Sequence, residues 1–161
     1  MSTKRLPLYG VGPVFFVFTM LTTMVGRLLS KRDFIPFFSL GPLGHFSTAL
    51  AVLLLIIAAY LWIDAVLFQR LQDGIYEHRL ITTGVYAVVR NPIYTAILFL
   101  SWSILLLDGN LYLLILVPLQ WLFLSVLLIY TEEKWLEEAF GDEYLQYCSR
   151  VNRCIPWFKK K

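Results

Sequence analysis

Charge is what this sequence has least of. Only 16% of its 161 residues are charged, while 58% are hydrophobic. Soluble domains are typically about 45–50% apolar and about 25% charged, so an ordinary water-facing globule is excluded. Cysteine is scarce too. Cys148 and Cys154 offer neither a disulfide framework nor a zinc-ligand spacing, and read as free thiols. Histidine occurs only as His45 and His78, and neither a metal cluster nor a Ser-His-Asp set is visible. The basic residues are scattered at segment ends, which gives no nucleic-acid signature. No useful repeat and no low-complexity tract is present. A cleavable signal is not expected, because no small-residue cleavage site follows a short apolar region.

What is present is oil, arranged in lengths that suit a bilayer. About 20 helical residues cross one, and four stretches qualify: 6–26, 44–68 (within Gly41 to Phe68), 91–107 and 111–130. Only Asp108-Gly109-Asn110 separates the last two, which predicts a tight antiparallel hairpin. Pro118 is placed to kink the fourth helix. The reading is an all-α integral membrane protein. It forms a single domain over 1–161, with about four transmembrane helices and a C-terminal interfacial tail.

Basic residues set the orientation. Lys4, Arg5, Arg70, Arg79, Arg90, Lys134, Arg150, Arg153 and the three terminal lysines fall on one side, eleven in all, against Arg27, Lys31 and Arg32 on the other. The positive-inside rule then puts both termini and the 69–90 loop in the cytoplasm. Beyond Tyr130, Trp135, Leu136, Ala139 and Phe140 recur at helical spacing. Gly141 and Asp142 mark a break. After it, Tyr144, Tyr147, Cys148 and Val151 share one helix face, which predicts an amphipathic helix in the membrane interface. Trp157, Phe158 and the terminal lysines would anchor the end.

Polar chemistry has few places to go. The stretch from Glu77 to Tyr94 gathers His78, Arg79, Gly84, Tyr86, Arg90, the Asn91-Pro92 step and Tyr94. Each has an ordinary structural use. Asn-Pro is a common helix start, Arg90 can snorkel, the tyrosines suit an interface belt, and Glu132 and Glu133 can be solvated acids. Taken together they describe a pocket. The hairpin brings Asn91, Pro92 and Tyr94 beside Glu132 and Glu133, and Tyr86 with the 80–84 backbone folds over them. Carboxylates accept hydrogen bonds from ribose hydroxyls or an ammonium, and aromatic faces stabilise a sulfonium.

The order and spacing of these residues resemble the isoprenylcysteine carboxyl methyltransferase family, within the wider membrane methyltransferases that include phospholipid N-methyltransferases. The matching segments are His78-Arg79-Leu80-Ile81-Thr82-Thr83-Gly84-Val85-Tyr86 and Arg90-Asn91-Pro92-Ile93-Tyr94. They continue with Glu132-Glu133, Phe140-Gly141-Asp142-Glu143-Tyr144-Leu145-Gln146-Tyr147, Arg150-Val151 and Ile155-Pro156-Trp157-Phe158. The resemblance implies S-adenosyl-L-methionine as cofactor, with His78, Leu80, Ile81, Tyr86, Asn91, Pro92, Tyr94, Glu132 and Glu133 around it. It also implies a lipophilic acceptor, best represented by the carboxylate of a prenylated cysteine, with a phospholipid amine or a thiol as the alternative. Two departures stand out. Asn91 takes a position that is usually His in the carboxyl methyltransferases. Leu127-Leu128-Ile129 occupies the turn where the eukaryotic enzymes carry an Arg that binds the substrate carboxylate. Arg90, Arg150 and Arg153 are the candidates to replace it. A sterol-type NADPH-dependent reductase and a non-catalytic membrane adaptor are the rival readings.

Overall fold

The structure, a computed structural model, describes residues 10–68 and 79–155. These residues form helices joined by turns, with isolated backbone bridges between Ser39 and Asn110 and between Val89 and Asn152. Helix α1 is Gly12–Lys31, α2 is Gly44–Ile63, α3 is Pro92–Asp108, α4 is Leu116–Tyr130, α5 is Glu132–Phe140 and α6 is Asp142–Arg150. Short 3₁₀ turns at Gly41–Leu43 and Leu111–Ile115 lead into α2 and α4. A π turn at Asp64–Phe68 continues α2, and a further 3₁₀ turn covers Gly84–Ala87.

Three helical rods are long and apolar enough to cross a membrane: Gly12–Lys31, Gly41–Phe68 and Leu111–Phe140. Helix α3 is apolar but shorter, at 17 residues. At 1.5 Å per residue it is roughly 26 Å long, slightly less than the hydrocarbon thickness of about 30 Å. The outward faces of the long rods carry exposed Val17, Leu21, Met24, Leu53, Ile56 and Leu122. Exposed oil of that extent is what a lipid-facing surface requires.

The first helix differs from the 6–26 segment expected from hydropathy. It starts at Gly12 and runs on past Gly26 to Lys31. The extension holds because Arg27 is not left unpaired: its Nε donates to Asp108 Oδ2 at 2.9 Å. Lys31 then lies in the last turn, where a cation complements the carbonyl end of the helix. The third and fourth segments begin and end within a residue or so of their expected limits. Pro118 falls in the first turn of α4, where amides have no partner within the helix, so it has little to break there.

Helix α3 is the hub. It packs most extensively on α2 and also meets α1 and α4, which buries Pro92, Thr95, Ala96, Leu98, Phe99, Ser101, Ser103 and Leu105. Its hairpin partner α4 is therefore not its main neighbour. Small polar side chains bolt the helices together. Ser47 Oγ donates to Leu106 O at 2.8 Å, and Ser103 Oγ donates to Ala51 O. Gln120 of α4 donates to Thr22 Oγ1 and Thr23 Oγ1 of α1, each at 3.0 Å, and accepts from Ser101 of α3 at 2.8 Å. In hydrocarbon such groups must find each other, since water is absent. At the hairpin end, Asn110 donates to Ser30 Oγ and Pro36 O, and its Oδ1 caps the 3₁₀ turn through the Tyr112 amide. Gly109 takes the left-handed φ of 69° that ends α3.

Candidate functional site

The opposite end of the bundle collects the start of α1, the end of α2, the start of α3 and the end of α4. It also holds residues 79–91, α5, α6 and residues 151–155. At Thr131 the backbone turns sharply (φ −128°, ψ −88°), which ends α4 and starts α5. Glu132 and Glu133 therefore sit in the first turn of a new helix, where acids complement the macrodipole.

Glu132 is joined to α3 and to α1. Tyr94 Oη donates to Glu132 Oε1 at 2.5 Å, and the Val11 amide donates to the same oxygen at 2.7 Å. Phe15 meets the Tyr94 ring edge-on at 5.9 Å between centroids. Tyr86, only 7% exposed, belongs to the same buried cluster, with Ile81 and Ile93 packed against it. Burial raises the Tyr86 phenol well above the usual tyrosine range, reinforced by Tyr147 and Glu132. It is a neutral phenol near pH 7.

Glu133 faces a different set of partners. Arg153 grips its carboxylate in a two-point contact, Nε to Oε1 at 2.6 Å and Nη2 to Oε2 at 2.8 Å. Arg90 Nη2 lies 3.1 Å from Oε1. The Arg90 side chain is only 9% exposed. It reaches Tyr144 Oη and Cys148 Sγ, and its guanidinium carbon lies 5.9 Å from the centre of the Tyr144 ring. The hydrogen-bonded carboxylate of Glu133 raises the Arg153 guanidinium above its ordinary value.

The segment after α6 runs alongside the start of α3. Arg90 N donates to Asn152 O at 2.8 Å, and Asn91 N and Nδ2 each donate to Arg153 O at 3.1 Å. Thr95 Oγ1 donates to Cys154 O at 2.7 Å. Asn91 is thus the N-cap of α3 by position, yet its amide holds this strap instead of capping the helix. Tyr147 Oη donates to Tyr86 O at 2.6 Å. Burial pushes the Tyr147 phenol up as well, which keeps it a donor. The strap seals Cys154 at 1% exposure and pushes its thiol up to about 12.

The expected site residues divide accordingly. Tyr94 and Glu132 are in direct contact. Tyr86, Ile81 and buried Pro92 lie in or against the same core as Tyr94. Leu80 packs instead against Tyr144, Tyr147 and Val151. Asn91 and Glu133 point to the strap and the arginines. His78 lies outside the described residues, as do Trp157, Phe158 and the terminal lysines. Arg90 and Arg153 meet on Glu133, whereas Arg150 is exposed at the end of α6. The α6 face expected to lie on the membrane surface is turned inward: Tyr144, Tyr147 and Val151 are buried against Leu80, Leu136 and Phe140. Two buried tyrosines that also bond Arg90 and Tyr86 gain more inside than at a lipid boundary.

Two contributors had gone unread. Asp64, near the end of the second apolar run, accepts the Val85 amide at 3.1 Å and fixes the turn that carries Tyr86. A carboxylate near a membrane-span end is a signal in itself. The Gly10-Val11-Gly12 segment approaches Glu132 and Tyr94 through its backbone.

Residues 43–143 match the family described as phospholipid methyltransferase. Among individual proteins, the chain is 32% identical over 84 residues to protein-S-isoprenylcysteine O-methyltransferase B of Arabidopsis thaliana, covering 50% of this chain and 41% of that one. It is 40% identical over 81 residues to protein-S-isoprenylcysteine O-methyltransferase of Schizosaccharomyces pombe, covering 50% and 34%. It is 36% identical over 76 residues to methanethiol S-methyltransferase 1 of Bradyrhizobium diazoefficiens, covering 47% and 26%. The matches thus span less than half the length of each of these relatives. No solved structure matches. The family match takes in the hub helix, the Tyr94–Glu132 contact and the hairpin between them. It sets aside the reductase and adaptor readings: this chain belongs to the phospholipid methyltransferase family.

Proposed function

We propose that this protein transfers a methyl group from S-adenosyl-L-methionine to a lipophilic acceptor at the cytoplasmic face of a membrane. In this reading α3 spans together with the three long rods, giving four crossings with both termini and the site on the cytoplasmic side. The observation that carries it is the Tyr94–Glu132 pair, a carboxylate in contact with an aromatic phenol where the helix ends converge. The donor set fits the cofactor's chemistry. Glu132 can accept from hydroxyls or an ammonium, and the rings of Tyr86 and Tyr94 offer faces to a cation.

The cofactor, when bound, supplies an electrophilic methyl group and its own neutral leaving group. The protein's task is then position and exclusion of water. Tyr94 and Val11 hold the Glu132 carboxylate in one orientation. Ile81, Ile93 and Pro92 give the pocket apolar walls, and Asp64 and Tyr147 fix the turn that presents Tyr86. Leu80 and His78 complete the set implied by the family resemblance.

The acceptor divides into two readings. A prenylated cysteine carboxylate follows from the names of the relatives, and it must be met by a cation when desolvated. A thiol or amine needs no such cation. The second reading is favoured by one observation: Arg90 and Arg153 are already committed to Glu133. The test offers purified protein a farnesylated cysteine, a phosphatidylethanolamine and a hydrophobic thiol, with methyl-labelled cofactor. We expect label in at least one product. Methyl esters release methanol in base, whereas N- and S-methyl products do not, so base lability separates the readings. No transfer to any of the three, under conditions where cofactor binds, would count against a lipophilic acceptor of these classes.

A further inference from the structure

Glu132 is not held by its own helix. The donors on its carboxylate come from α3 and from the start of α1, and among the described residues both bonds fall on Oε1. An ionised carboxylate has about four acceptor positions, so anchoring one oxygen leaves Oε2 to meet a ligand. The Val11 amide is well suited to this anchoring. It stands at the N-cap of α1, where no side chain caps the helix. An amide at a helix start has no partner within the helix and favours an anion.

The approach is possible only because position 10 has no side chain. Gly10 has φ +48°, in the left-handed region. A Cβ there would overlap Glu132 Oε1 and lie 3.2 Å from Tyr94 Oη. Gly12 faces the Tyr94 ring, where a Cβ would sit 3.4 Å from Cε1. Phe15, fully buried one turn further on, braces the same ring edge-on.

We infer that Gly10 and Val11 are positioning residues of the cofactor site: the start of α1 anchors Glu132 through Oε1 and presents Oε2 to S-adenosyl-L-methionine. The inference rests on the proposed function, since it names how that site is assembled. It assigns α1, which lies outside the family-matched segment 43–143, a part in cofactor recognition. The anchoring bond persists when cofactor binds, because the two use different oxygens.

The test has two arms on the full chain in detergent. The first measures hydrogen exchange at the Val11 amide of the unmodified protein, with and without S-adenosyl-L-methionine. Slower exchange with cofactor supports anchoring. Faster exchange overturns it, since it would mean that cofactor displaces the amide. The second measures cofactor affinity for Gly10→Ala, Glu132→Gln and the double variant. Gly10→Ala should weaken binding roughly ten-fold, the worth of one charge-assisted hydrogen bond, and less than two-fold when Glu132→Gln is already present. A purely structural effect would give the same loss in both backgrounds and overturn the inference. If Gly10→Ala does not fold, replacing Val11 by its α-hydroxy acid, which turns that amide into an ester, removes the donor without the overlap and takes its place in the cycle, with the same two outcomes. Unmodified protein that binds no cofactor would overturn the proposed function and this inference together. Cofactor binding with equal losses in both backgrounds would overturn the inference alone.

Discussion

Glu133→Ala isolates the role of the second glutamate. In the structure this carboxylate takes two hydrogen bonds from Arg153, at 2.6 and 2.8 Å, and an ion pair with Arg90 at 3.1 Å. Removing it leaves two guanidinium groups facing each other, one of them 9% exposed. Breaking a buried pair from one side costs about 3–5 kcal/mol. Arg153 is 28% exposed, and its partial solvation brings the figure to about 3 kcal/mol. For a chain of this length that corresponds to a fall in melting temperature of roughly 6–12 °C. Tryptophan fluorescence during a thermal ramp in detergent reads it. The double variant Glu133→Ala with Arg153→Ala should recover part of the loss, because the unpaired charge goes with its partner. Below the transition, cofactor affinity should change less than about three-fold, since Glu133 does not touch the Tyr94–Glu132 pair. A melting temperature within about 2 °C of the unmodified protein would refute the stabilising role of the Glu133 ion pairs. A cofactor loss as large as that of Glu132→Ala would return Glu133 to the binding site.

Other consequences follow from the same geometry. Gln120→Leu removes the bonds that tie Ser101, Thr22 and Thr23 to α4, while Ser101 and Thr23 keep their bond to each other, and should cost about 1–2 kcal/mol of stability with cofactor affinity unchanged; thermal unfolding and binding on one preparation check both. Cys154 should resist maleimide in the folded protein at pH 8. With its thiol pushed up to about 12, roughly one molecule in ten thousand is thiolate, and labelling at a rate comparable to an exposed thiol would contradict the strap. For orientation, cysteines introduced at exposed Tyr112 and Glu143 should react from opposite sides of a sealed vesicle, Glu143→Cys from the cytoplasmic side; reaction from one side alone would rule out the four-crossing arrangement.

How much of this was legible in the sequence depends on which atoms carry each contact. The apolar segments were readable because burial in lipid leaves its mark on every residue of a span. Their limits were harder to see where a charge is neutralised from afar, as Arg27 is by Asp108, which let α1 run on to Lys31. The break at Gly141 and the residues that share one face of α6 followed from spacing, but that this face is buried rather than laid on the membrane surface did not, because Leu80 and Phe140 announce nothing about where they pack. The Tyr94–Glu132 contact was expected from motif order across a tight hairpin. The anchoring of Glu132 by α1 was hidden, since its donor is a backbone amide and its only sequence trace is the absence of a side chain at Gly10. The strap was hidden for the same reason: its acceptors are the carbonyls of Asn152, Arg153 and Cys154. The arginines could be named in advance, but their shared partner Glu133 could not be chosen from a list of charges.

The central claim is that S-adenosyl-L-methionine binds at the Tyr94–Glu132 pair. Equilibrium binding of labelled cofactor to the detergent-solubilised chain, with Glu132→Ala beside it, tests that claim most directly. Loss of a charge-assisted hydrogen bond from a partly buried carboxylate is worth about 1.5–3 kcal/mol. The account therefore predicts saturable binding to the unmodified protein and a roughly ten- to hundred-fold weaker constant for the folded variant. An affinity unchanged by Glu132→Ala, or no binding by the unmodified chain, would contradict it.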